Sequence, residues 1–178
     1  MGDSRIFIKG KKENVWINPN KDDFARKSNL ARIVVFTEDK LNFVKIGQEE
    51  ERVIICGPGE YEIGGVEITG INSMYSLNVD GVKVVMVGKG EGELGEKKKE
   101  KLEESDVLLL ELSANSLDIA KKSAANYLVP VGYESEEKEL KIFLDAFDNE
   151  DLEKVDSLKV DKDNLPEGVE VVLLKTME

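Results

Sequence analysis

Histidine is missing from this sequence of 178 residues, and cysteine is nearly so. Without histidine, the Ser-His-Asp and Cys-His nucleophile systems are excluded, and so is a histidine general base. The commonest protein ligand of zinc is missing as well. The single cysteine, Cys56, excludes a disulfide within the chain and a cysteine-based zinc site. What stays open is the chemistry of carboxylates, lysine, tyrosine and all-oxygen metal sites.

Basic residues are outnumbered, since 25 lysines and arginines stand against 37 aspartates and glutamates and leave a net charge of −12. This charge repels phosphate backbones and anionic lipid, so neither nucleic acid nor a membrane is an expected partner. No apolar run approaches the roughly 18 residues of a membrane helix, and the N-terminus lacks the apolar stretch of a signal peptide. With 40% hydrophobic and 35% charged residues, we expect one globular domain over residues 1–178, located in the cytoplasm.

Short strands joined by tight turns are predicted for the first half of the sequence. An alternating segment that returns after a Gly-Lys-Lys turn predicts a hairpin over 5–17. Continuous apolar runs predict buried strands over 33–36 and 53–55. Glycine dipeptides between alternating segments indicate two more hairpins, with turns at Gly64-Gly65 and Asp80-Gly81.

Helices and strands alternate in the second half. Helical spacing and capping residues predict helices over 96–105, over 116–125 with Ser116 as N-cap, and over 136–148 with Ser135 as N-cap. Apolar runs between them predict strands over 107–110, 127–129 and 169–174. Because strands come first and then alternate with helices, we expect an α/β fold in which sheets are layered between helices.

A glycine-rich segment, Gly90-Glu91-Gly92-Glu93-Leu94-Gly95, matches the dinucleotide-binding fingerprint. It follows a predicted strand and precedes a predicted helix, and Glu111 lies about 20 residues further on, as the fingerprint requires. Two carboxylates, of Glu91 and Glu93, would however lie beside a pyrophosphate that needs N–H groups and positive potential. A flexible glycine loop is therefore the favoured interpretation, with dinucleotide binding as the alternative.

Two acidic patterns are weaker candidates. Asp161-Lys162-Asp163-Asn164 begins like a calcium loop, but Pro166 and Val172 stand where that loop needs glycine and glutamate, so a solvated loop is favoured. Glu60 and Glu62 lie two residues apart and share one face of a predicted strand. Paired carboxylates can do acid–base chemistry, but a solvated strand face is the commoner reason for such a pair.

The segment Pro58-Gly59-Glu60-Tyr61-Glu62-Ile63 resembles the Pro-Gly-Glu-(Tyr/Phe)-Glu-(Ile/Val) hairpin of one branch of the metallo-β-lactamase superfamily, the ascorbate-phosphate-lactonase-like proteins. Other segments resemble that branch in register along nearly the whole chain, namely Asn18-Pro19, Asn72-Ser73-Met74-Tyr75, Met86-Val87-Gly88-Lys89 and Pro130-Val131-Gly132-Tyr133. The resemblance implies a single metallo-β-lactamase-like domain, an αββα sandwich in which two mixed β-sheets face each other and helices cover the outside.

Members of this superfamily hold metal ions at one edge of the sandwich, mainly through histidines and aspartates. In this chain every matched ligand position carries another residue, and we call this set the vestigial pocket: Glu38, Lys40, Asn42, Phe43, Met86, Lys89 and Gly132. The resemblance therefore implies no metal ligands, no catalytic residues and no cofactor. We expect a catalytically degenerate protein that serves as a structural, protein-binding or small-ligand-binding module. The sequence does not determine its oligomeric state.

A metal-independent hydrolase or lyase that reuses the vestigial pocket is the alternative. Glu60 and Tyr133 join Glu38, Lys40 and Lys89 as its candidate groups, because a desolvated lysine can act as a base or nucleophile and a carboxylate can take protons. An open polar cleft would favour the enzyme and a filled pocket the binding module. We also expect Lys40 and Lys89 to replace the charge of the lost metal, with Glu38 as their carboxylate partner, unless both extend into solvent.

Overall fold

The computed structural model describes residues 4–25, 31–38, 52–89, 93–149 and 151–176. Within these ranges the chain forms two main β-sheets and one small two-stranded sheet. No helix of the described ranges is both long enough and apolar enough to cross a membrane.

The smaller of the two main sheets, sheet A, contains four strands from the N-terminal part of the chain. They are β1 (Ile6–Lys9), β2 (Asn14–Ile17), β3 (Ile33–Phe36) and β4 (Val53–Cys56), in that spatial order. β1 and β2 form the predicted antiparallel hairpin, and β3 and β4 are added in parallel. A short helix, α1 (Lys21–Ala25), lies in the connection from β2 to β3.

Sheet B begins with an antiparallel meander of four strands: β5 (Gly59–Ile63), β6 (Val66–Ile71), β7 (Met74–Val79) and β8 (Val82–Val87). The predicted turns are confirmed. Gly64 and Gly65 have φ angles of 59° and 88°, and Asp80 and Gly81 have φ angles of 52° and 86°. Positive φ at both central residues matches the twist of the flanking strands, which is why glycine and aspartate occur there.

The other half of sheet B is parallel. Its strands are β9 (Val107–Glu111), β10 (Tyr127–Val131) and β12 (Glu170–Val171), and β9 pairs in parallel with β8. Three helices accompany this half: α2 (Glu96–Glu103) before β9, α3 (Ser116–Lys122) before β10, and α4 (Glu137–Asp145) after it. Their buried side chains, which include Leu102, Ile119 and Phe143, pack with Leu108 and Leu128 on the outer face of the sheet.

Both predicted serine caps are wrong. Asn115 is at the N-cap of α3, and the Ser116 hydroxyl accepts the Ser113 backbone N–H at 2.7 Å instead. Ser135 ends a 3₁₀ turn, and Glu136 is at the N-cap of α4. Ser116 is therefore the first residue of α3, and the 3₁₀ turn moves the start of α4 beyond Ser135.

The main hydrophobic core lies between the two sheets. Ile17 and Val35 of sheet A meet Leu77, Met86 and Leu109 of sheet B there, and all five are nearly or completely buried. The outer face of sheet A has a second cluster around Trp16, against which Phe7 packs edge-on with ring centroids 4.9 Å apart. Because successive side chains of a strand point to opposite faces, each sheet contributes residues to clusters on both of its sides.

The C-terminal part of the chain forms two short strands where the sequence predicted one over 169–174. β12 pairs with β10, whereas β13 (Leu173–Leu174) pairs with the unpredicted β11 (Lys154–Val155). Leu158 and Val160, between β11 and β12, pack against the core between the sheets. The segment that begins like a calcium loop forms a 3₁₀ turn. The Asp161 carboxylate accepts hydrogen bonds from the Asp163 N–H and the Asn164 amide, and it thereby stabilises this turn.

Candidate functional site

Three parallel strands of sheet B end side by side at one edge of the sandwich. Val87 of β8 is paired with Leu110 of β9, and Glu111 is paired with Val131 of β10. The residues that follow these strands therefore come together, and we call this region the parallel edge: Gly88, Lys89, Glu111, Gly132 and Glu136. It brings Lys89 and Gly132 of the vestigial pocket to the same place.

Sheet A reaches the parallel edge at Gly88. A Cβ atom added to Gly88 would lie 3.0 Å from the Thr37 Cβ and 3.0 Å from the Ser73 carbonyl oxygen. Thr37 directly follows β3, and its position is fixed by Asn18, which follows β2. The Asn18 side chain accepts the Thr37 backbone N–H at 3.0 Å and donates to the Thr37 hydroxyl at 2.9 Å, and both residues are buried. This network, which sequence reasoning missed, joins the two strand ends beneath the edge.

Lys89 is the charged centre of the parallel edge. Its backbone N–H donates to the Glu111 carboxylate at 2.7 Å, and its ammonium group forms an ion pair with the Glu136 carboxylate. The hydrogen bond from the Lys89 ammonium to Glu136 raises the pKa of Lys89, and burial opposes this with a smaller effect. The nearby carboxylates of Glu111 and Glu139 add to the increase. The Lys89 side chain is 49% exposed, so the pair lies at the surface.

The expected partner of Lys89 was Glu38, and this prediction is wrong. Glu38 is exposed beyond the end of β3, where its backbone carbonyl accepts the Cys56 thiol at 3.5 Å. Glu136 was missed because it lies 47 residues from Lys89, beyond any local pattern. Lys40, Asn42 and Phe43 lie outside the described residues.

The other described candidates, Met86, Gly132 and Tyr133, each occupy a structural position. Met86 is completely buried in the core between the sheets. Gly132 adopts a left-handed conformation, φ 65°, that starts the turn leading to α4. Tyr133 is buried, its hydroxyl donates to the Leu174 carbonyl at 2.6 Å, and the Lys154 ammonium lies 4.8 Å above its ring. The Tyr133 hydroxyl thus holds the C-terminal segment in place.

Glu60 lies on β5, three strands away from β8 at the far side of sheet B. Because Tyr61 and Ile63 pack towards the core, Glu60 and Glu62 point to the opposite, outer face, where both are exposed. Glu62 accepts the Gly65 backbone N–H at 3.1 Å. The favoured interpretation of this pair as a solvated strand face agrees with the structure.

No protein-family model and no curated protein matches this sequence. Solved structures do match it. A Thermotoga maritima protein assigned as a zinc-dependent hydrolase of the metallo-β-lactamase superfamily superposes with a TM-score of 0.73 at 19% identity, covering 97% of this chain and 95% of that one. The chain has the metallo-β-lactamase fold.

Two further structures agree with this assignment of the metallo-β-lactamase fold. One is a Parabacteroides distasonis protein assigned as a metal-dependent hydrolase, with a TM-score of 0.61, 14% identity and coverage of 98% and 91%. The other is the metallo-β-lactamase fold protein YhfI from Bacillus subtilis, with a TM-score of 0.59, 11% identity and coverage of 98% and 90%. The predicted αββα sandwich is confirmed, and at these identities the likeness establishes the fold alone.

Three described positions of the vestigial pocket carry no side chain that suits the metal ions typical of metallo-β-lactamase folds. Met86 has its thioether in the core, Lys89 presents a cation, and Gly132 has no side chain. Within the described ranges, no three His, Cys, Asp or Glu side chains are grouped so that they could hold a metal ion. A dication prefers oxygen, nitrogen or thiolate donors, and an ammonium group repels it.

One described hollow lies near the carboxyl end of β10, and no residue of the parallel edge lines it. This hollow of about 20 Å³ lies between β1 and the end of β10, with Ile6, Val131, Tyr133 and Leu174 in its lining. This volume is enough for about one water molecule. This hollow is therefore too small for an organic substrate.

The dinucleotide alternative receives no support from the contacts of Glu111. This carboxylate, which the fingerprint would use for a ribose, accepts the Lys89 N–H. Gly95 is the N-cap of α2, as the fingerprint would need, but residues 90–92 lie outside the described ranges.

Proposed function

We propose that this chain is a single, catalytically degenerate metallo-β-lactamase-like domain of the ascorbate-phosphate-lactonase-like branch. It works in the cytoplasm as a metal-free binding module for a protein or small molecule, without affinity for nucleic acid or membranes. One observation carries the proposal. The Lys89 ammonium lies at the parallel edge among Glu136, Glu111 and Glu139, where the resemblance puts a metal-bridging aspartate.

Electrostatics supports the loss of the metal. A dication at the parallel edge would face the positive charge of Lys89 within a few ångströms, and it would compete with that charge for Glu136. Met86 and Gly132 offer it no oxygen or nitrogen side-chain donor in return. Without a metal ion, the superfamily's means of producing hydroxide at neutral pH is missing as well.

Reuse of the pocket by a metal-independent enzyme has less support. A lysine that acts as base or nucleophile needs a lowered pKa, which desolvation or a neighbouring cation provides. Lys89 is half exposed and its pKa is raised by Glu136. Tyr133 is engaged with the Leu174 carbonyl, and Glu60 lies on the outer face of β5.

Thermal unfolding tests the loss of the metal. We expect the midpoint to stay within about one degree when EDTA, zinc or manganese is added, because an ion that does not bind the native state cannot stabilise it. The matched variant is Lys89→Asp, which returns an acidic side chain to the edge and is measured under the same conditions. Saturable stabilisation of the unchanged protein by micromolar zinc would contradict the proposal.

Turnover separates the two functional hypotheses. Phosphodiesters, lactones and β-lactams are offered with and without added metal, and we expect no hydrolysis above the rate in buffer. A metal-independent activity that disappears in Lys89→Ala would establish the enzyme instead. The control is Lys83→Ala, which removes another half-exposed lysine from the opposite end of β8.

A further inference from the structure

Two lysines with the same pattern of contacts lie near the two ends of β8. At its start, the Lys83 backbone N–H donates to the Asp106 carboxylate at 2.8 Å, and the Lys83 ammonium pairs with Glu104 at 3.0 Å. After its end, the Lys89 backbone N–H donates to Glu111 and the ammonium pairs with Glu136. Each lysine therefore ties β8 to the neighbouring end of β9 and to a segment beside a helix.

The two ends differ in their supply of cations. At the start of β8, the Asp106 carboxylate is also bound by Lys162, whose ammonium lies 2.7 Å from both oxygens. At the parallel edge, Lys89 faces the carboxylates of Glu111, Glu136 and Glu139. Two lysines share the charge balance at the start of β8, whereas Lys89 supplies the cation of the ion pair described at the parallel edge.

We propose that Lys89 is the resident cation of the parallel edge and clamps β8 to β9 and to the start of α4. The proposal rests on the proposed function in one respect, namely that no dication supplies the positive charge there. Its N–H positions the Glu111 carboxylate, and its ammonium neutralises Glu136. Because both contacts are exposed to solvent, salt screens the ion pair and loosens the edge where Gly88 meets Thr37.

Native-state hydrogen exchange of two amides reports on the clamp. The Gly88 N–H is bonded to the Ser73 carbonyl at 3.0 Å, and the Leu140 N–H is bonded to the Glu136 carbonyl at 2.9 Å. In Lys89→Met we expect both amides to exchange about two- to fivefold faster at low salt, the range that a surface ion pair supports. Added salt should produce a similar acceleration in the unchanged protein and little further effect in the variant.

Lys83→Met is the matched control, and it should leave the exchange of Gly88 and Leu140 unchanged. Lys89→Arg should restore slow exchange, because it keeps the positive charge. Equal exchange of both amides in Lys89→Met and the unchanged protein would overturn the clamp. Zinc binding by the unchanged protein would instead overturn the proposed function, so the two failures are distinguishable.

Discussion

Tyr75 connects the turn after β4 to the meander of sheet B. Its hydroxyl accepts the Gly57 backbone N–H at 2.6 Å and donates to the Gly57 carbonyl at 3.2 Å, while its ring is almost fully buried. Gly70 permits this arrangement, because a Cβ there would lie 2.6 Å from the Gly57 carbonyl and 2.9 Å from the ring. One phenol thus satisfies both polar groups of a turn residue.

The ionisation of Tyr75 should destabilise the protein at alkaline pH. Burial raises the pKa of the Tyr75 hydroxyl above its usual value of 10.0, and the hydrogen bond from Gly57 opposes this less strongly. A pKa that is higher in the folded state means that the contribution is complete below about pH 10 and is lost as the pH rises through the folded value.

The measurement compares urea unfolding of Tyr75→Phe and the unchanged protein across this range. Below about pH 10 the variant should be less stable by about 1 kcal/mol, because the bonds to Gly57 are lost. At higher pH the difference should shrink, since phenylalanine cannot ionise. If the difference in unfolding free energy between the two proteins stays constant with pH, the raised pKa of Tyr75 is contradicted.

At the scale of elements, the C-terminal segment is attached to sheet B through a nearly buried carboxylate. The Asp106 side chain is 8% exposed and receives Lys162 on both oxygens. The Asn126 amide donates to the Pro166 carbonyl at 2.8 Å a few residues further on. These contacts hold the turn of residues 162–164 against the starts of β9 and β10.

Lys162→Met should cost about 1–2 kcal/mol of unfolding free energy, between the values of exposed and buried ion pairs. The reason is that Asp106 would keep its charge, with the Lys83 N–H left as the hydrogen-bond donor to its carboxylate. Lys175→Met is the control on the same segment. Its pair with Asp156 is exposed on both sides, so its loss should be below about 0.5 kcal/mol. Chemical denaturation measures the unfolding free energy of both variants. Equal losses of stability would contradict the stronger contribution expected from the nearly buried Asp106.

Elements whose causes are local could be predicted from the sequence. The turns at Gly64-Gly65 and Asp80-Gly81 were found because positive φ is a property of the turn residues themselves. The two-residue strand Lys154–Val155 was missed because it is exposed and too short to show alternation. The single strand expected over 169–174 divides because the Val172 N–H binds the Leu128 carbonyl, whereas the Lys175 N–H binds Val155. Such partners are fixed by tertiary structure.

At the scale of the whole molecule, the fold was predictable and the arrangement of the candidate site was only partly so. The resemblance around residues 58–63 predicted the αββα sandwich, and the solved structures confirm it. It also placed Lys89 and Gly132 at one edge. The partners of Lys89 lie 22 and 47 residues away, and no periodic pattern encodes which of many glutamates they are. The ion-pair partners of charged surface side chains are determined by the tertiary structure that brings the strand ends together.

The change from antiparallel to parallel pairing at β8 has a consequence for the order in which the molecule assembles. β5 to β8 are joined by two-residue turns, whereas β9, β10 and β12 must be reached across longer connections. Contacts between residues that are near each other in sequence form at a smaller entropic cost. We therefore expect the meander to be formed already in the folding transition state, and the parallel half to form later.

Rapid-mixing kinetics of two matched core variants test this order. Val79 of β7 and Val129 of β10 are both buried in the core between the sheets, and Val→Ala at either should cost about 2 kcal/mol. Val79→Ala should mainly slow folding, and Val129→Ala should mainly accelerate unfolding. The reverse partition would mean that the parallel half nucleates. With the meander first, the residues of the parallel edge would meet sheet A only in the last stage of folding, after the barrier has been crossed.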